Sequence, residues 1–393
     1  MKQWQLKTLI ILVSIIIGLT LAEVGLGFLG IEYPDFYDLD PYLGYALRPG
    51  VQGYWLNEGQ GFVSINRDGL RDRDHASKKP PNTVRIAVLG DSYAEAMQVN
   101  QKEAFWAIME KELQNCKNLQ GRNVEVINFG VAGYGTAQEL LMLRHRVWKY
   151  SPDIVLLAFC TGNDISDNSS SLKQKPSDPY FIFENGDLTL HDQSSRKRWE
   201  EKVANNHFTR PLYQWLIQFR VVQVVEHGKE DIRDWWFRKK AVARSDASGS
   251  NLEPGILNPV YHEPTDEVWK EAWKVTEGLL LKMRDEVDHR GARFVIVVLS
   301  NGNQVHPDVA ARARFARLLG VNDLFYPDRR VEKFCESHDI PVLLLAPLFQ
   351  DYATQHQVFF HGFEKSLGEG HWNQHGHQLA GQTIAKWLCP QVH

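Results

Sequence analysis

The chain reads as an α/β protein: a three-layer α/β/α sandwich with a central parallel sheet of about five strands, preceded by one apolar N-terminal helix. Three observations predict it. Short apolar runs alternate with amphipathic helical stretches, the rhythm of right-handed β-α-β crossovers. Those runs, VRIAVL (84–89), VEVI (124–127), DIVLLAF (153–159), RFVIVV (293–298) and PVLLL (341–345), lack the strict polar alternation of a half-exposed strand, so both faces of the sheet are covered. The first three each end in a short polar or glycine-rich fragment, at the edge where open parallel sheets form their ligand sites.

The first element is the apolar segment. From Thr8 to Ala22 no residue is charged, and apolar character resumes after Glu23 to Ile31, long enough to cross about 30 Å of hydrocarbon as a helix. Lys2 and Lys7 precede it, and Glu32, Asp35, Asp38 and Asp40 follow. By the positive-inside rule the N-terminus is cytoplasmic and the remainder extracytoplasmic, in a periplasm or at the cell surface. Residues 1–31 are expected to be a single-pass membrane anchor. The competing reading is a cleaved signal peptide with Thr20-Leu21-Ala22 as its small-residue site, which would make the protein secreted.

Residues 32–82 form a lead-in segment punctuated by aromatics and prolines. Within it SINRDGLRD (64–72) has a strand-then-turn pattern with Gly69 as the turn residue, and Asn66, Arg67, Arg71 and Arg73 read as a solvated, charged turn. The core is expected over 83–168 and 260–391. Its first helix, in NQKEAFWAIMEKELQ (100–114), opens on a capping-box-like Asn100 and Glu103 and lines up Phe105, Ile108, Met109 and Leu113 as one apolar stripe. The second, TAQELLMLRHRVWKY (136–150), stops before Ser151-Pro152, because proline disfavours helix in the residue before it.

Residues 169–259 break this rhythm and read as an insertion. FIFENGDLTL (181–190) is a hairpin about Asn185-Gly186; an aromatic and basic helical region and the linker RSDASGSNLEPG follow. Trp235, Trp236, Phe237 and Arg238 have three readings: the insertion's own small core, a lid, or a contact with lipid headgroups. The core resumes with the helix in 265–291, the fourth strand, two helices, the fifth strand, and a last helix beginning inside NQHGHQLAGQTIAKWLC (373–389).

Four fragments carry chemistry. GDSY (90–93) follows the first strand, which puts Ser92 on a strand-to-helix turn. A serine hydroxyl is a poor nucleophile unless a base takes its proton, and GHWNQHGH (370–377) supplies His371. NFGVAGYG (128–135) and TGND (161–164) lie behind the second and third strands. Together GDS, N-x-x-x-x-G, GND and HWNxxGH, in this order, resemble the SGNH (GDSL-type) hydrolase family, here in a membrane-anchored bacterial-type form. The resemblance covers roughly Pro81 to Asp167 and Pro264 to Leu388.

That resemblance implies Ser92 as nucleophile and His371 as base and then acid. It implies an oxyanion hole from the backbone N–H groups of Ser92 and Gly133 and the side-chain amide of Asn163, and it implies no cofactor and no metal. The family's usual aspartate stands three residues before the histidine, where this chain has Gly368. Glu369 is the nearest carboxylate and is expected to orient His371; the other reading is a Ser-His dyad. Asp91 and Asp164 sit inside turns as local caps. His375 and His377 are lesser candidates for the base, and His361 reads as a surface-loop residue.

The expected function is an extracytoplasmic serine esterase acting on acyl esters, O-acetyl esters in particular, of a cell-envelope glycan or lipid. An O-acyltransferase of an exported polysaccharide would use the same site, and a non-catalytic glycan-binding protein is the third reading. With a net charge of -4 the chain has no basic bias, so nucleic acid is not an expected partner. Cys116, Cys160, Cys335 and Cys389 lack zinc-ligand spacing and read as small buried hydrophobes; an oxidising compartment would permit disulfides, whose pairing sequence leaves open.

Overall fold

A computed structural model describes residues 3–173, 175, 178–206, 208–229, 253 and 255–392. Two short antiparallel pairs come first, β1 (Tyr37–Asp40) with β2 (Gly44–Leu47) and β3 (Gln52–Trp55) with β4 (Gly61–Ser64). β5 (Thr83–Gly90), β6 (Asn123–Asn128) and β7 (Ile154–Phe159) follow, then the hairpin β8 (Tyr180–Glu184) and β9 (Asp187–His191), then β10 (Arg293–Val298) and β11 (Val342–Leu344).

β5, β6, β7, β10 and β11 form one parallel sheet in the order β11-β10-β7-β5-β6. After β5 the chain steps outward to β6 and then back across to β7, so the strand order reverses at β5. A reversal of this kind opens a crevice at the carboxyl ends of the strands. Ser92 stands two residues beyond β5, at that crevice.

The strands alternate their side chains between two buried clusters. Ala87, Leu89, Val155, Leu157, Ile296 and Val298 join helices Thr136–His145 and Glu267–His289 on one face. Ile86, Val88, Leu156, Ala158, Val295 and Val297 join Phe105–Leu113, Leu345–His356 and Gln374–Leu388 on the other. The result is an α/β sandwich whose sheet is covered on both faces, which is why its strands are apolar throughout. Asn100 and Glu103 form the capping box, and Asn185 and Gly186 turn the β8–β9 hairpin with φ of 52° and 94°.

The lead-in is more deeply built in than a solvated turn. Arg71 is buried and its Nη2 donates to Val99 O at 2.5 Å; Asp72 Oδ2 accepts the Asn128 N–H at 2.9 Å. Asn66 is buried as well, its Oδ1 accepting from the Asp68 and Leu70 N–H groups. The expectation of a charged surface turn therefore fails for Asn66 and Arg71. Charge masked the burial of Arg71, whose guanidinium is met by the Val99 carbonyl and by the charges of Glu95 and Asp72.

Two of the four cysteines are not small hydrophobes. Cys116 and Cys389 form a disulfide with Cα atoms 5.6 Å apart, across a sequence separation of 273, while Cys160 and Cys335 are free and buried. The bond closes the end of the last helix onto the segment before β6. Helix Gln3–Phe28 has a mean hydropathy of 2.5 over its best window and no buried residue, long and apolar enough to cross a membrane. Trp235, Trp236, Phe237 and Arg238, and most of the linker, lie outside the described residues.

Because the disulfide ties positions far apart in sequence, its removal acts on the unfolded chain's entropy more than on the site. The double variant Cys116→Ser/Cys389→Ser should lose roughly 2–5 kcal/mol of unfolding free energy in a denaturant titration. Activity at 25 °C should be retained.

Candidate active site

The turns after β5, β6 and β7 converge on Ser92. Asp91 caps the short helix Ser92–Glu95, its Oδ1 accepting the Tyr93 N–H at 2.9 Å. The β6 turn is fixed to this element by Val131 N donating to Gly90 O at 3.1 Å. The β7 turn is fixed by Asn163 Nδ2 donating to Asp91 Oδ2 at 2.9 Å. Asp164 caps its own turn, with Oδ2 accepting the Cys160 N–H at 2.7 Å.

His371 Nε2 lies 2.8 Å from Ser92 Oγ. On the far side of the ring, His371 Nδ1 lies 2.5 Å from Glu58 Oε2, and the His371 backbone N–H donates to Glu58 Oε1 at 2.8 Å. A carboxylate accepts only, so Nδ1 carries the proton and Nε2 presents its lone pair to the serine hydroxyl. This is a Ser-His-Glu triad in a single hydrogen-bonded line.

Glu58 corrects the expectation that Glu369 orients His371. Glu369 is exposed, and the Nδ1 position it would have taken is filled by a residue 313 positions away in sequence. Glu58 sits in the loop between β3 and β4, and β4 is tied to the segment that follows Ser92 by Phe62 N donating to Asn100 Oδ1 at 3.2 Å. The loop after Gly368 has to make room for it. Gly370 adopts φ +77°, and a Cβ there would collide with Glu58 Oε1.

His361 is buried, not a surface-loop residue. Its Nδ1 donates to Gly370 O at 2.8 Å and its Nε2 accepts from Ser300 Oγ at 2.9 Å; Trp372 Nε1 donates to the same hydroxyl at 3.0 Å. Burial pushes the His361 pKa down to about 4, so this ring stays neutral while it holds the Gly370 carbonyl before His371 and shares the Ser300 hydroxyl with the Trp372 indole after it. His377 is buried with its Nδ1 accepting the Phe105 N–H at 3.3 Å, and burial brings it to about 3; His375 is exposed. Neither reaches Ser92 as the base.

Among the expected oxyanion donors, Gly133 adopts φ +73°, and a Cβ there would come within 2.8 Å of the Tyr45 hydroxyl. Its carbonyl accepts from Lys173 Nζ at 2.6 Å, and Tyr45 Oη donates to Ala132 O at 2.7 Å. Both carbonyls of this turn are thus bound from the protein side. Asn163 spends one amide N–H on Asp91; an amide nitrogen has two.

Electrostatics favour a charged pair. Burial alone would lower the His371 pKa, but the hydrogen bond and charge of Glu58 outweigh it and the pKa lies above the ordinary 6.5. Burial likewise works to raise Glu58, and the hydrogen bond and charge of His371 bring it below its usual 4.5. Behind the serine, burial pushes Glu95 up to about 7, against hydrogen bonds from the Ala132 N–H and from Tyr37, whose hydroxyl lies 2.9 Å from Oε2.

No family model matches this chain, and no curated protein does. Among solved structures it is similar to an acetyl xylan esterase, with 11% identity over 77% of this chain and 98% of that one and a TM-score of 0.39. It is similar also to a lipase/acylhydrolase from Enterococcus faecalis, at 13% identity over 79% and 97% of the two chains and a TM-score of 0.36. A catalytic mutant of an acetylxylan esterase from Geobacillus stearothermophilus aligns at 10% identity over 77% and 93%, with a TM-score of 0.37. At that level of similarity none of them bears on the site, which stands on its own geometry.

Glu58→Gln keeps the shape of the side chain but removes the charge that stabilises the imidazolium. kcat should fall by orders of magnitude, up to about 10⁴-fold, in steady-state ester hydrolysis. Glu369→Gln should leave kcat at the wild-type value. The pH dependence carries the same signature: the base works only when deprotonated, so kcat/KM rises with pH through the His371 pKa, above 6.5. In Glu58→Gln the raising contribution is gone while burial remains, and the residual activity should show that limb at lower pH.

Proposed function

We propose that the protein is a membrane-anchored, extracytoplasmic serine esterase of the SGNH (GDSL-type) kind, which hydrolyses acyl esters, O-acetyl esters in particular, of a cell-envelope glycan or lipid. The observation that carries the chemistry is the line from Glu58 through His371 to Ser92, with separations of 2.5 and 2.8 Å. Ser92 Oγ attacks the ester carbonyl as its proton passes to His371 Nε2. The tetrahedral oxyanion is met by the N–H groups of Ser92 and Gly133 and the free amide N–H of Asn163. His371 then gives its proton to the leaving alcohol as the C–O bond breaks, leaving an acyl group on Ser92. A water, deprotonated by His371, adds to that acyl-enzyme, and collapse releases the acid and returns the proton to Ser92.

Location outside the cytoplasm is supported by two independent features. Helix Gln3–Phe28 has the length and hydropathy of a span, with lysines before its apolar run and acids after it. The Cys116–Cys389 disulfide suits an oxidising compartment.

Acyl transfer to an exported polysaccharide is the second reading, and one observation favours it. A cleft of about 1010 Å³ is lined in part by Glu58, and a separate one of about 880 Å³ in part by Ala132 and Gly133. Two clefts give separate room for a donor ester and an acceptor hydroxyl, and an acyl-enzyme is resolved by either nucleophile.

Ser92→Ala should abolish ester turnover with an unchanged circular dichroism spectrum; full activity in that variant would remove the serine mechanism. Supplying the wild-type protein with a donor ester and a deacetylated polysaccharide separates the two readings. Hydrolysis predicts free acid equal to the donor consumed, whereas transfer predicts acyl groups appearing on the polysaccharide.

A further inference from the structure

Helix Arg210–Leu216 is docked by its polar side. Arg210 is ion-paired with Asp38, Gln214 Nε2 lies 3.5 Å from the same carboxylate, and Ile217 just beyond the helix is buried. Leu212, Trp215 and Leu216, at i, i+3 and i+4 of the helix, and Phe219, three residues past its end, are exposed at 57%, 55%, 38% and 37%. The Trp215 and Phe219 rings meet edge to face, 4.9 Å apart. An amphipathic helix in a soluble fold buries such a stripe, and a contiguous exposed one marks a contact with something else.

The next segment of chain indicates what covers it. Helix 220–229 begins on Glu23, whose two carboxylate oxygens accept the backbone N–H groups of Arg220 and Val221 at 3.0 and 3.1 Å. The Arg220 guanidinium pairs with Glu23 and with Glu32, Tyr33 N donates to Gln223 Oε1 at 3.0 Å, and Tyr33 stacks on His227 at 4.0 Å. Glu23 is the acid that bounds the uncharged run Thr8–Ala22 on its C-terminal side. The chain just past the stripe is therefore fastened to the outer part of the apolar helix, at the first charge after its uncharged run, and Phe28 and Leu29 near that end are exposed.

We propose that Leu212, Trp215, Leu216 and Phe219 lie in the outer interface of the bilayer that Gln3–Phe28 crosses, as a second, monotopic membrane contact; this rests on reading that helix as a span. Tryptophan, phenylalanine and leucine on one face suit the headgroup level of a phospholipid surface. Two contacts on one membrane hold the catalytic part at a fixed tilt, where a single helix would leave it free to swing. Arg210, Tyr213 and Gln214 of the same helix line the cleft that reaches Ala132 and Gly133. That cleft then opens beside the membrane surface, which favours esters presented there.

The test uses the full chain in vesicles of phosphatidylcholine and phosphatidylglycerol, with a fluorophore on one introduced thiol at a time: Ile16→Cys, Leu212→Cys, Trp215→Cys and Leu318→Cys. Cys160 and Cys335 are buried, which leaves the new thiol to react. Nitroxide lipids should quench the 16 label best when the nitroxide is deep, and the 212 and 215 labels best when it is near the headgroup. The label at 318, on an exposed leucine of the distant helix Val309–Leu319, should not be quenched. Quenching at 16 with none at 212 or 215 overturns the inference and leaves the span standing. Absence of quenching at 16 removes the span and the inference with it. A 212 or 215 signal that changes with protein density, and not with nitroxide depth, would assign the stripe to a second copy of the chain and equally overturn the proposal.

Discussion

The pairing of Glu58 with His371 joins the two halves of this molecule that sequence keeps furthest apart. Glu58 binds the ring nitrogen and the backbone N–H of the same histidine, so it fixes both the tautomer and the path of the chain that carries it. Ring orientation needs more than one support. Gly370 must yield its Cβ space to the carboxylate, and its carbonyl is held by His361 and by the Tyr93 hydroxyl at 3.1 Å. Trp372, fully buried behind His371, shares the Ser300 hydroxyl with His361. His371 is thereby held from both neighbours along the chain, the kind of support that fixes the geometry of a site.

The carboxyl groups behind the serine behave differently from Glu58. Asp91, Glu139 and Asp164 are buried, and burial drives each above the usual carboxylate range, Glu139 and Asp164 well above it. Glu58, only partly covered and bonded to His371, moves the other way. The environment therefore moves the buried carboxyls one way and the carboxylate beside the imidazole the other. Such a division of acids by environment assigns their roles.

Much of this was legible in the sequence because it depends on local pattern. Apolar runs of strand length, each followed by GDS, NFGVAG or TGND, place Ser92, Gly133 and Asn163 at one sheet edge by pattern alone, and HWNQHGH brings His371. Glu58 was illegible for a physical reason. It lies in an ordinary Asn-Glu-Gly loop among 48 acidic residues, and only the closure of β3–β4 over the segment after Ser92 gives it a partner. The one available signal was negative: Gly368 stands at the position where the resemblance places an acid. Burial of Arg71 and His361 was hidden in the same way, since polar type predicts exposure until long-range partners are known. The disulfide followed no spacing rule because its ends meet only in the folded chain.

A double-mutant cycle on kcat/KM over Glu58→Gln and His371→Ala tests most directly whether Glu58 acts through His371. If the carboxylate works by orienting and charging the imidazole, its loss matters only while the imidazole is there. Glu58→Gln should then cost orders of magnitude in the wild-type background and almost nothing in His371→Ala. Equal losses in both backgrounds would contradict the account and return Glu58 to a role in loop structure.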